Sequence, residues 1–254
     1  MLPILLFFIG CMGFSQTPEQ QKMIDKAMKM RDSIMDSMHL EEMLQQADLV
    51  YNYRYDSSKD VVEYVKVGVI NPDGSILLNP TSKVPILQPL NNFKNSNTFF
   101  DIHNQDSYQY SNENSGFKLN SYILVYQNGK QIGILTLGNS IKVTRNLLTP
   151  GDLYFGDEGY LLSWVYVDEA CSIKAIENWK GDLSNTGTPL LVETNVTYDL
   201  NFNSGWNLVK TEVIGKYEFP NAPEEDRSRY KKHEHTSLDA IPNEATYFFR
   251  STVE

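Results

Sequence analysis

From Val61 onward the sequence returns again and again to short runs in which apolar and polar residues alternate, each closed by Gly, Asn, Asp or Pro. Successive side chains of an extended chain point to opposite faces, so such runs bury one face only as strands of a sheet. Val61–Val69 alternates and ends at Asn71-Pro72-Asp73-Gly74, a turn leading into Ser75–Leu78. Tyr122–Tyr126 and Gln131–Leu135 flank Asn128-Gly129, a pair whose residues accept the positive φ of a tight hairpin. The same pattern predicts strands at Tyr160–Val167, Ser172–Trp179, Val192–Asn201, Asn207–Val213 and Thr246–Thr252. Neither βαβ alternation nor a repeat of fixed period is present. The expected fold is mainly β, an antiparallel β-sandwich or barrel-like domain over residues 51–254, preceded by an N-terminal amphipathic helix.

That helix is read from residues 16–50. Thr17 caps, Pro18 sits in the first turn, and Gln20 completes a capping box. Met23, Ala27, Met30, Ile34 and Met38 follow at helical spacing, with Lys22, Lys26, Lys29 and Asp36 opposite. The apolar stripe is expected to pack on the body; a Met-rich docking face is the alternative. Residues 1–15 carry no charge, and the run Leu2–Phe14 is shorter than the roughly 20 residues a bilayer span needs. It suits an export signal, with Gly13 and Ser15 placed for a cut before Gln16. The basic residues that usually open such a signal are missing. Cys11, preceded by Gly10, is the competing lipoprotein site, but Phe8 fits that pattern poorly and the apolar run continues past it. The expectation is an exported chain, secreted or periplasmic, with membrane attachment only if Cys11 is lipidated.

A net charge of −10 argues against nucleic acid as a partner and leaves a divalent cation open. After a cut at Ser15, Cys171 has no partner for a disulfide, so the fold must rest on its core. With no His in its segment, Cys171 reads as a buried small hydrophobe.

The common catalytic signatures are absent, and no motif calls for a cofactor. Asp182, Ser184, Thr186, Gly187 and Glu193 do fall at positions 1, 3, 5, 6 and 12 of a calcium loop. Pro189, the small number of carboxylates and strand-like flanks favour a plain inter-strand loop. His233-Glu234-His235 could put two imidazoles on one side of an extended segment. It lies in residues 220–236, read as an exposed charged loop, beside Lys231 and Lys232, whose charges oppose a cation. No third ligand is evident, and a zinc site needs three or four. Residues 91–118 read as long loops rich in Asn and aromatics, including Phe99, Phe100, Tyr108 and Tyr110. Tyr108 and Tyr110 are the candidate ligand-binding residues, because aromatic faces beside amides suit sugars and peptides. The competing role for this loop is to pin itself to the core.

"YLLSWVYVDEACSIKA", "TYDLNFNSGWNLV" and "AIPNEATYFF" resemble a pattern recurring in exported β-rich proteins and lipoproteins of Bacteroidota-type bacteria. There a Tyr-x-Leu-x-Leu strand leads into a Gly-Trp-Asn turn; Tyr198, Leu200, Phe202, Gly205, Trp206 and Asn207 match it, with Phe202 replacing the second Leu. The likeness covers about the last hundred residues. It implies a sandwich or barrel-like exported domain and transfers no activity and no catalytic residue. The expected function is a non-catalytic envelope or extracellular module that binds a small molecule, glycan or protein. The alternative is a carboxylate-dependent hydrolase of polysaccharide or peptide.

Overall fold

The computed structural model describes residues 45–56, 61–80, 83–84, 87–96, 101–148, 157–182, 189–221 and 228–251. The export signal and almost all of the expected helical segment, residues 16–44, lie outside the described residues. Strand β1 already begins at Ala47, so the end of the 16–50 segment is strand, not helix.

The described strands, in chain order, begin with β1 (Ala47–Asp56), β2 (Val61–Ile70), β3 (Ile76–Leu78), β4 (Gln88–Pro89) and β5 (Gln109–Ser111). Next come β6 (Gly116–Asn120), β7 (Ile123–Gln127), β8 (Lys130–Gly138), β9 (Gly159–Val167) and β10 (Cys171–Asp182). The last four are β11 (Leu191–Phe202), β12 (Gly205–Glu218), β13 (Ser228–Leu238) and β14 (Thr246–Ser251). Two helices accompany them, α1 (Phe93–Ser96) and α2 (Ile141–Leu148). Every strand predicted from alternation is present. The Asn128-Gly129 hairpin forms as read, with φ of 52° and 75° at its two residues.

All fourteen strands belong to one sheet, whose main path runs β3-β2-β1-β7-β8-β9-β12-β13-β11-β10-β5. It buries both faces, and the pleat of β9 shows how. Leu161 and Val165 point into a core shared with β10–β13, α1 and α2. Tyr160, Leu162 and Trp164 point the other way, towards β8, β14 and the β1–β2 end of the sheet. Tyr51 of β1 stacks on Trp206 of β12 at 5.2 Å, although the path separates the two strands. The Gly-Trp-Asn turn supports this contact. Gly205 takes φ +103°, and the Asn207 side chain accepts from Asn203 N–H and donates to Asn203 C=O, closing the link.

The pairing departs from a purely antiparallel fold at one place. β11 and β12 are joined by two residues, yet β13 lies between them, antiparallel to β12 and parallel to β11. Residues 228–236, read as part of an exposed loop, therefore belong to a central strand. The loop reading of 91–118 is corrected as well: α1 and β5 lie in it, β6 begins in it, and 3-10 turns stand at its start, Leu90–Asn92, and within it, Gln105–Ser107. Among the described residues no helix is long and apolar enough to cross a membrane, which says nothing of strands.

Candidate functional site

The interposition of β13 creates the chemistry of this fold. Its pleat sends Lys232 and Glu234 to one face, where they pair at 2.8 Å, and His233 and His235 to the other. Both imidazoles are buried, at 0% and 1% exposure. Cross-strand register places His235 between Tyr198 of β11 and Thr211 of β12. The segment leading out of residue 101 then lies over them. Glu177 of β10 accepts the backbone N–H groups of His103 and Asn104 at 2.6 and 3.2 Å, tying that segment down.

Asp101 is the acceptor at the centre. Its Oδ2 accepts from His235 Nε2 at 2.8 Å and from His233 Nδ1 at 3.0 Å, and its Oδ1 accepts from the Tyr198 hydroxyl at 2.6 Å. The Thr211 hydroxyl lies 3.0 Å from His235 Nδ1, fixing the ring from its far side. Tyr198 stacks on His235 and Tyr230 stacks on His233 at 3.6 Å. Burial pushes the Asp101 carboxyl upward, but the charge of His235 and the bonds from both imidazoles outweigh it and hold it well below the carboxylate range. Burial pushes the His233 imidazole down, against the pull of Asp101. The Tyr198 phenol is driven well up, first by burial and then by the Asp101 charge. Sequence reasoning found the histidines without their third partner. Asp101 is 132 residues away from His233, and no spacing rule connects them.

A second feature opens to solvent at the β5 edge of the sheet. An open cleft of about 450 Å³ is lined by Asn91, Asn92, Lys94, Gln105, Asp106, Tyr108, Tyr110 and Glu113. Both tyrosines singled out from the sequence border it, but they differ. Tyr108 is 9% exposed and belongs to an aromatic cluster, edge-on to Phe93 and Tyr198 at 6.0 and 5.3 Å. Tyr110 is half-buried and stacks on Tyr108 at 6.1 Å. Tyr108 thus supports the wall, and Tyr110 presents its ring there. Phe99 and Phe100 lie outside the described residues. A crevice between α2 and β14 has about 20 Å³, room for little more than one water.

Of the calcium-loop candidates, Asp182 lies at the end of β10 and Glu193 on the paired strand β11. Asp182 Oδ1 accepts from Leu190 N–H at 2.9 Å. Glu193 faces Lys180 across the ladder, accepts from Asn178 at 2.9 Å and pairs with Lys180 at 3.1 Å. Those two bonds, Asn178 first, hold its carboxyl below the usual range. Ser184 and Thr186 lie outside the described residues. Cys171 is a free, buried thiol in the core, as read.

No family model, no curated protein and no solved structure matches this chain.

Proposed function

We propose that this chain is an exported, non-catalytic binding module that holds a short glycan in the cleft beside Tyr110. Export rests on the uncharged apolar stretch Leu2–Phe14. The observation that carries the binding reading is the composition of the cleft. One half-buried aromatic ring lies among the amides of Asn91, Asn92 and Gln105 and the charges of Lys94, Asp106 and Glu113. A sugar offers an apolar C–H face for the ring and a fringe of hydroxyls that both donate and accept. Amides match the second property and a tyrosine the first. The volume is within the range of small-ligand pockets, roughly 300–1,000 Å³.

Asp106 and Glu113 border the same cleft, and this supports a second reading, a carboxylate-dependent glycan hydrolase. A glycan array followed by calorimetry on the best hit tests both. Under the binding reading Tyr110→Ala loses at least tenfold in affinity at unchanged melting temperature, and the glycan is recovered intact. Turnover abolished by Asp106→Asn or Glu113→Gln would replace the module by an enzyme. Binding indifferent to Tyr110→Ala, or no glycan bound at all, overturns the assignment of the cleft.

A further inference from the structure

We infer that Asp101, His233 and His235 form a buried structural site for one divalent transition-metal ion of the zinc type. The ligand atoms, one carboxylate oxygen and two imidazole nitrogens, all lie within 4.8 Å of one another. Three donors around a common ion at about 2.0–2.2 Å stand no more than about 4.4 Å apart, so the cluster needs only a small adjustment to close on one. Imidazole and carboxylate together are a donor set for zinc and its neighbours in the transition series, not for calcium or magnesium.

Charge gives the second reason. Asp101 is 5% exposed, and its negative charge lies against two imidazoles. A divalent ion offsets a carboxylate buried this deeply, as a paired partner or a metal does for buried charges in general. The buried cation of the same strand, Arg229, is engaged with the ring and hydroxyl of Tyr230.

Orientation is the third. Ligands of metal sites are held from behind by hydrogen bonds. Here Thr211 holds His235, and Tyr198 holds the second oxygen of Asp101. The two objections raised by the sequence are answered by the pleat and the topology. Lys231 is exposed, Lys232 is paired to Glu234 on the far face, and Asp101 is the third ligand. With all three side chains shut off from solvent, the ion serves as a pin and not as a catalyst. What it pins is the segment from residue 101 into the 3-10 turn Gln105–Ser107, where Gln105 and Asp106 line the cleft.

A closed site must be loaded during folding. The full chain is unfolded in guanidinium with chelator, then refolded with equimolar Zn²⁺, with Co²⁺, or with chelator alone. The expected result is one ion per chain that survives dialysis, and a visible Co²⁺ absorption band absent from free Co²⁺ at that concentration. The melting temperature should rise by about 5 °C or more over the chelator sample. The double variant Asp101→Asn/His235→Gln should lose the ion and the shift; should it fail to fold, the wild-type ion count and Co²⁺ band decide. Wild-type chain that refolds with no ion retained by either metal, and with an unchanged melting temperature, overturns the site. So does an ion that persists in the double variant, which would belong to the surface pair His103–Glu177. No glycan enters these measurements, so their outcome is independent of the cleft's assignment.

Discussion

The phenol ring of Tyr198 lies flat on the imidazole of His235, 3.8 Å between centroids and 8° from parallel, while its hydroxyl reaches past that ring to Asp101. One side chain therefore packs against one member of the cluster and hydrogen-bonds another. Tyr198→Phe keeps the stack and removes the bond, leaving Asp101 Oδ1 short of a donor in the core. The expected loss is about 1–3 kcal/mol, read as a lower urea midpoint at unchanged slope. Tyr198→Leu, which also removes the stacked ring, should lose more.

High pH should destabilise the fold through Tyr160. Burial, and then the hydrogen bond to Glu244, push its phenol up to about 12. The unfolded chain releases this proton near pH 10, so between about 10 and 12 the folded state binds more protons and stability falls as pH rises. A two-unit shift bounds the contribution at about 2.7 kcal/mol, and the exposure of Glu244 places the expected value below that. The measurement is the difference in urea midpoint between pH 9 and pH 11. Tyr160→Phe should show a smaller difference than the parent chain.

Cys171 should be inert in the native protein. It is 6% exposed, and burial pushes its thiol up and so disfavours the reactive thiolate. Alkylation followed by peptide mapping should find Cys171 unmodified in buffer and fully modified in guanidinium. Equal labelling in both would contradict its place in the core.

Gly138→Ala should be among the more damaging of small substitutions. A Cβ there would stand 2.2 Å from the backbone carbonyl oxygen of Tyr160 in the neighbouring strand, and backbone has little room to retreat. The expected loss is about 1–3 kcal/mol in chemical denaturation. A neutral result would show that β8 and β9 can part there.

The sequence shows this fold most clearly where one face of a strand is apolar. Tyr198, Leu200 and Phe202 alternate with Asp199 and Asn201, and the strand they predict is there. β13 escaped that reading because its buried face is carried by His233 and His235, residues that count as polar in any apolar alternation. With Lys232 and Glu234 between them, the segment looked charged throughout. The alternation was present, but it is visible only once the histidines are known to be inside. Tyr108 and Tyr110 were legible as a pair because aromatics are rare on wholly solvated loops. Their separation into a wall residue and a presented ring depends on Phe93 and Tyr198, which come from other parts of the chain. Asp101 could not be found at all, since an acidic residue in a polar loop carries no mark of the strands it will meet.

The place of β13 also bears on how the chain is made. A ribosome releases β11 and β12 one after the other, joined by Asn203 and Ser204, before any of Ser228–Leu238 has emerged. Local contacts form fastest, so the nascent chain favours a β11–β12 hairpin that the finished sheet does not contain. Either that hairpin forms and must reopen, or a slot one strand wide stays unfilled, with unpaired backbone on both rims, until Leu238 is synthesised. The histidines enter the interior with that late arrival, and Asp101, translated long before, meets its two imidazole partners only then.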